Sequence, residues 1–430
     1  MGRAHLAPLA LAFLIGIAGE LHGYGAALLT LGCVSALGLP SLPTRVRGRA
    51  LVAGVALALG LLDARLLAYP LPALGDPHTT RLHATLLAAT ARGDDRYDAT
   101  LRFDDETVGT ASLPGPAAPI GTRLLLRGKR EPFDEARNPG EPSSRALEAE
   151  HGVTWHVARA YLLAAVPVDT RDATLWLPRL RAWASGRLHD DLGEPDATIL
   201  AGALWGERGA LPPELRSEFQ DTGTVHVLVT AGLHLGVVAV LALALLRTFG
   251  VGRIGGSLTT IGIVWAYAAF SGAHLPSLRA ATMLSFALLA RAAGRDAYSW
   301  NALALAAVVV AALRPASVDS LSFALSFSCV AAIFAFARPL AGGFSKLGAP
   351  AAAAELAGVA CAAQLGTWPL TAFAFLVIAP YAPLANAAVV PVVGVAMLGG
   401  FAELAASPLP PLAHLFANVE RTLLDWIVGT

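Results

Sequence analysis

Cysteine, lysine and charge are all scarce in this chain. Cys33, Cys329 and Cys361 are its three cysteines, and each lies in an apolar segment, which argues against a disulfide framework or a cysteine metal cluster. Lys129 and Lys346 are its two lysines, neither in a G-x-x-x-x-G-K-[ST] loop, so the chain does not energise transport by that route. No H-E-x-x-H pair, G-x-S-x-G elbow or His-x-His-x-Asp-His cluster occurs. A hydrolase is therefore not expected, and neither is a catalytic residue, a metal or a cofactor. Only 14% of residues are charged and the formal net charge is zero. No global basic excess advertises nucleic acid, and a polyanion would have to be met by local positive charge.

What the chain has is apolar length. Over 430 residues it is 55% hydrophobic, with a mean hydropathy of +0.58, which places it among polytopic α-helical membrane proteins. The opening "MGRAHLAPLALAFLIGIAGE" has a basic start before an apolar run, but two more apolar segments follow, around 24–39 and 50–68. A retained helix fits better than a cleaved signal. Arg45, Arg47 and Arg49 lie in the loop between those two segments and by the positive-inside rule place it, and hence the N-terminus, in the cytoplasm. Further apolar segments run at about 224–246, 254–270, 275–293, 298–313, 320–337, 350–378 and 382–406. The basic pairs Arg247 and Arg253, Arg291 and Arg295, and Arg338 and Lys346 recur every two crossings; Arg314 is the clear exception.

Between about 76 and 170 charge, proline and glycine become common. "YDATLRFDD" and "TRLLLRGKREPF" alternate at the period of strands, so a small inserted β domain is expected, outside the cytoplasm by the topology above. Its exposed aromatics are few, mainly Tyr97, Phe103, Phe133 and Trp155. His151 and His156 are five apart, a spacing that suits neither a helical zinc pair nor one strand face; they read as one surface and one packed histidine. In "LWLPRLRAWASGRLHDDLGE", Trp176, Leu177, Leu180 and Trp183 stand against Arg179, Arg181 and Arg187, the pattern of an interfacial amphipathic helix. The final "LAHLFANVERTLLDWIVG" is amphipathic as well.

Polar residues inside the apolar segments are the candidate site. In "DTGTVHVLVTAGLHLG", Thr222, His226, Thr230 and His234 fall four apart and would share one helix face, pointing into the bundle or into water. Asp319, Ser322 and Ser326 form a second stripe, which equally suits hydrogen bonding between helices. In "SGAHLPSLRAATML", Pro276 suits a first helical turn and Arg279 adds positive charge where the helix dipole is already positive. An anion would answer it, or else an internal salt bridge to Glu355, Asp319 or Asp221. Gln364, Thr367 and Asn386 lie among runs broken by Pro369, Pro383 and Pro391, as in transport paths built from broken helices.

The segment "LWGERGALPPELRSEFQDTGTVHVLVTAGLHLG" resembles the signature of the ComEC competence family. So do "SGAHLPSLRAATM", "RPASVDSLSFALSFSCVAAI" and "AAQLGTWPLTAFAF" with "APLANAAVVP", while "GTRLLLRGKREPFDEARNPGEPSSRALEAEHGV" resembles the end of that family's OB-type domain. The resemblance implies three N-terminal transmembrane helices (1–70), an extracytoplasmic OB-like β domain (71–170) and interfacial amphipathic helices (171–220). A competence-type channel core (221–408) and a C-terminal amphipathic helix (409–430) complete it. It implies an inner-membrane channel for single-stranded DNA in natural transformation, with Thr222, His226, Thr230, His234, Arg279 and Asn386 lining the path. Asp319, Ser322, Ser326 and Gln364 are secondary to it. The implied partners are single-stranded DNA, membrane lipid, a DNA receptor, a cytoplasmic motor ATPase and a nuclease on a separate polypeptide, because a metallo-β-lactamase-type domain is expected to be absent. Self-association into a homo-oligomer is compatible with this. Ala231 and Glu207 depart from the family's usual serine and aspartate. The competing readings are a secondary transporter for a small anion and a non-transporting scaffold, and both predict that the β domain does not retain single-stranded DNA.

Overall fold

A computed structural model describes residues 7–21, 44–67, 80–91, 96–134, 145, 148, 153–166, 173–206, 215, 217–219, 222, 224, 232–295, 299–375 and 379–428. Its main elements in chain order are α1 (Ala7–Leu21), α2 (Thr44–Leu67), β1 (Thr80–Ala91), β2 (Arg96–Phe103), β3 (Val108–Pro114), β4 (Arg123–Glu131) and β5 (Val153–Val166). There follow α3 (Trp176–Leu192), α4 (Asp196–Trp205), α5 (Gly232–Thr248), α6 (Arg253–Phe270), α7 (Leu275–Ala292), α8 (Ser299–Leu313), α9 (Leu321–Lys346), α10 (Ala351–Phe375), α11 (Ala382–Ala406) and α12 (Pro410–Val428). They form two compact units. The segment expected at 24–39 lies outside the described residues.

The first unit is helical. α1 and α2 cross through Gly16 and Gly60: a Cβ on either would collide with the Leu57 or Phe13 carbonyl of the other helix. Phe13 and Ile17 of α1, Ala64 of α2 and Ala311 of α8 form one small core there. Leu275 and Leu278 of α7, Ala307 and Val310 of α8 and Phe323 of α9 form another. On α9 and α10, by contrast, Phe336, Leu356, Val359, Leu365 and Phe373 are exposed, as helices that contact lipid must be.

Among the described residues, α9, the Ala351–Ala374 part of α10 and α11 are long and apolar enough to cross a membrane. The sequence patterning led to an expectation of about three times as many. Part of the difference lies outside the described residues, which omit 24–39 and 225–231 ahead of α5, and part is length: α1, α7 and α8 have 15, 18 and 15 residues. At about 1.5 Å per residue they reach about 22–27 Å, against a hydrocarbon core of about 30 Å.

In the second unit the insert closes into a five-stranded barrel in the order β1-β2-β3-β5-β4. β3 and β5 run parallel and the other pairs antiparallel. β2 shows why the sequence closes this way: Tyr97, Ala99, Leu101 and Phe103 point inward at every second position and join Leu86, Leu113, Leu124, Leu126, Trp155 and Val157 in the core. The strands expected in "YDATLRFDD" and "TRLLLRGKREPF" are β2 and β4. Trp155 is buried and His156 exposed at its side of β5, whereas His151 lies outside the described residues. The remaining helices of this unit, α3, α4, α11 and α12, share a core that includes Leu188, Leu192, Leu200, Leu204, Val393, Met397 and Leu424. Trp176, Leu180 and Trp183 stay exposed along α3.

The β2–β3 turn is held by charge. Asp105 Oδ1 accepts from the Thr107 hydroxyl at 2.6 Å and the Thr107 amide at 3.1 Å. Arg130 forks onto the same carboxylate at 2.8 and 3.1 Å while its guanidinium lies 4.0 Å over the Phe103 ring. Partial burial opposes ionisation of Asp105, but the Thr107 hydrogen bonds and the Arg130 charge outweigh it and hold the carboxyl below its ordinary range. A depressed folded-state value contributes stability above the unfolded value of about 3.9 that is lost as pH falls through the lower one. Amide exchange in this turn is therefore expected to accelerate on acidification in the wild-type chain and to lose that dependence in Asp105→Asn. An identical pH profile for the two would refute the role of the carboxylate.

Candidate functional site

In the first unit the site is built around Arg279. His274 takes an extended conformation as the N-cap of α7 and Pro276 fits the first turn, so Arg279 enters near a helix start where the backbone dipole is positive. The side chain is 7% exposed. Its Nη1 donates to the Ser326 carbonyl of α9, and its guanidinium lies 5.9 Å from the Phe327 ring centre. Gly232, where the described part of α5 begins, lies beside Nη2: a Cβ there would stand 3.5 Å away. Nε has no hydrogen-bond partner among the described residues, and no described carboxylate forms an ion pair with Arg279. The salt bridges to Glu355 or Asp319 considered from the sequence are not formed; Asp221 lies outside the described residues. A buried cation answered by a carbonyl and a ring, but by no anion among the described residues, retains attraction for one.

His234 of α5 is buried at 2% exposure in the same unit. The four-residue stripe that led to it lies largely outside the described residues. Thr222 belongs to a turn, its amide and hydroxyl both donating to the Glu218 carbonyl at 3.0 and 2.9 Å, and its hydroxyl lies 2.7 Å from that of Thr224. Thr222 and His234 are therefore not on one described helix; His226 and Thr230 lie outside the described residues. The second stripe also changes. Asp319 ends a 3₁₀ turn from Pro315, and the Ser320 hydroxyl caps α9 by accepting from the Phe323 amide at 3.1 Å. Asp319 thus precedes the helix that carries Ser322 and Ser326. Of these, Ser326 reaches Arg279, through its carbonyl. Gln364 lies on α10, its carbonyl accepting from Thr367 at 3.3 Å.

The second unit holds Thr222 and Asn386. Thr222 lines a cavity of about 40 Å³ with Phe219, Thr224, Ala385, Val389 and Ile427. Asn386 follows Ala385 on α11, and its Oδ1 is buried with no partner among the described residues. A larger cavity, about 200 Å³, opens on the barrel between Arg96, Ser112, His156, Arg159 and Tyr161. The Arg96 fork holds Ser112 through its hydroxyl at 3.3 Å and its carbonyl at 2.9 Å. Tyr161 is 62% exposed, whereas Tyr97, Phe103 and Trp155, expected on the surface, are 1%, 4% and 6% exposed and serve the barrel core. Arg96, Arg159 and Tyr161 were not anticipated. Arg96 could be read from the outward phase of β2, opposite Tyr97; Arg159 and Tyr161 share the parity of the inward Trp155 and reach the outer face because β5 is irregular at Arg159, whose φ is 51°.

Such a chain is a helical membrane protein carrying a small closed β barrel. It belongs to the Competence protein family, which matches residues 204–430, more than half of its length. It is 30% identical over 146 residues to the Escherichia coli (strain K12) "Uncharacterized protein YcaI", covering 32% of this chain and 19% of that one. To "ComE operon protein 3" of Bacillus subtilis (strain 168) it is 28% identical over 186 residues, 42% of this chain and 23% of the relative. An "Uncharacterized protein" of Aquifex aeolicus (strain VF5) is 32% identical over 183 residues, 42% and 41% of the two chains. The match thus spans less than half the length of each relative. No solved structure matches the chain.

Proposed function

We propose that the chain forms an inner-membrane path for single-stranded DNA during natural transformation, with its barrel, of OB type, meeting the strand outside the cytoplasm and the N-terminus inside. Membership of the Competence protein family supports a role in DNA uptake. The carrying observation is Arg279, a buried cation in the family-matched region that has no anionic partner among the described residues. One fixed cation attracts passing phosphates without trapping a polyanion that must move on. The barrel adds a cavity with two arginines and an exposed Tyr161, the combination of backbone charge and stacking surface that grips single strands. Its strand order, with a parallel β3–β5 closure, supports the OB reading. A nuclease activity, a receptor and a motor ATPase are the partners this path calls for.

The test is uptake of labelled duplex DNA by cells in which this gene is the only copy, scoring protected single strands inside. Protected strands support the path; none with the wild-type chain and its machinery present moves the small-anion transporter and scaffold readings ahead. For the barrel, Arg96→Ala with Arg159→Ala is expected to weaken single-strand retention by the purified full chain. If each arginine meets one phosphate, the double variant should flatten the dependence of log affinity on log salt by about 1.4. An unchanged slope would remove the barrel cavity from the DNA path.

A further inference from the structure

Two carboxylic acids in the second unit have no part in the path described above. Glu403 lies in the last turns of α11 and Glu420 in the middle of α12, and they are 1% and 0% exposed. None of their four carboxyl oxygens has a hydrogen-bond partner among the described residues. Glu420 is seated against Gly399 of α11. A Cβ at that position would collide with Glu420 Oε1, so the absence of a side chain there makes the space the carboxyl fills. Gly399 and Glu403 are one helical turn apart and share a face of α11, which sets the second carboxyl beside the first.

The helices packed on the pair carry the charged groups around it: Arg187 and Asp191 on α3, Asp196 on α4, Glu194 in the turn between them, and His414, Arg421 and Asp425 on α12. The described arginines that act on Glu403, Arg187 and Arg421, are already engaged. Arg187 pairs with Asp191 at 3.2 Å and Asp190 at 3.7 Å. Arg421 donates to the Asp191 carbonyl at 2.5 Å and to Asn418 Oδ1 at 3.1 Å. His414 Nδ1 lies 3.8 Å from Asp191. Asp191, Arg187 and Arg421 act on Glu403, whereas the charge that acts on Glu420 is Glu403. A buried carboxylate with neither donor nor counterion takes up a proton in preference to remaining charged, and a neighbouring carboxylate strengthens that tendency.

We propose that Glu420 and Glu403 form a proton-binding site between α11 and α12, in which Glu420 holds the proton at neutral pH and Glu403 is the neighbour whose charge sets its affinity. Binding forms one O–H bond on a Glu420 carboxyl oxygen and needs no co-reactant. Burial, reinforced by Glu403, pushes Glu420 up to about 9. A value raised above the unfolded one, about 4.3, leaves full stability below that pH and loses it as pH rises through about 9. Release of the proton puts a second negative charge into the contact at Gly399, so α11 and α12 pack less tightly in the deprotonated form. The assignment does not depend on what the membrane path carries.

The experiment is an infrared titration of the full chain in lipid nanodiscs, following the deuterium-sensitive carbonyl stretch of protonated carboxyl groups, with melting curves on the same samples. Wild-type protein is expected to show such a band at neutral pH that disappears on alkalinisation through about 9. Glu420→Gln should lack the component that disappears through about 9 and melt independently of pH over the range in which the wild type weakens. Glu403→Gln should keep the band with its midpoint shifted down by about one pH unit, because a like charge has been removed. The wild-type spectrum decides the matter even if a variant fails to fold: no protonated carboxyl at neutral pH overturns the proposal. So does a component titrating near 9 that persists in Glu420→Gln, an unmoved midpoint in Glu403→Gln, or a band displaced by sodium ions at constant pH.

Discussion

Replacing Arg279 by alanine is expected to lower the recovery of protected single strands about 10–100-fold while membrane abundance stays normal. The estimate rests on one buried, charge-assisted interaction with the passing strand, worth about 1.5–3 kcal/mol. Two further variants separate charge from packing. Arg279→Met preserves much of the volume beside Phe327 and Gly232 and should fall as far as alanine. Arg279→Lys keeps the charge on a different geometry, loses the guanidinium fork that reaches the Ser326 carbonyl, and should fall between alanine and wild type. Normal uptake in Arg279→Ala would sink the path as drawn. Loss in alanine with normal uptake in methionine would make Arg279 a packing residue and leave the DNA reading without its main support.

Arg279 was legible because proline and arginine mark a helix start from either end of the argument, local propensity and charge. Of the hydroxyl and histidine stripe, the described members are Thr222, in a turn, and His234, on α5; the rest lies outside the described residues. At Thr222 the hydroxyl and amide both turn back to the Glu218 carbonyl, a local bond that competes with helix continuation. Asp319 failed for a related reason: Ser320 stands three residues before Phe323 and caps α9, so the helix starts after the aspartate. That cap is a readable signal, and weighing it against the spacing would have separated Asp319 from Ser322 and Ser326.

In the barrel the error ran the other way. Following the alternation through Tyr97, Ala99, Leu101 and Phe103 places the aromatics with the core, and composition alone had placed them on the surface. The glutamate pair depends on a contact between α11 and α12 across Gly399. One feature of it could have been flagged early: Glu403 is an acid inside an otherwise apolar run, the sort of residue that membrane segments keep for a reason.

The largest stability effect is expected from Leu101→Ala. Leu101 is fully buried on β2, in a core bounded by Leu86, Leu113, Leu124 and Leu126. In a closed barrel each strand is hydrogen-bonded to two neighbours, so the walls cannot collapse into the space that the leucine leaves. Truncation at such a site costs about 2–5 kcal/mol. Amide exchange of the barrel strands in the intact chain should speed up accordingly, whereas Leu163→Ala on the exposed face of β5 should stay within about 0.5 kcal/mol of wild type. The effect carries to function because the cavity residues sit on three strands: Arg96 on β2, Ser112 on β3, and Arg159 with Tyr161 on β5. The cavity exists only while those strands remain paired. Leu101→Ala should therefore also weaken retention of single strands, without altering any residue that lines the cavity. Faster exchange with unchanged retention would show that the strand is held elsewhere in the chain.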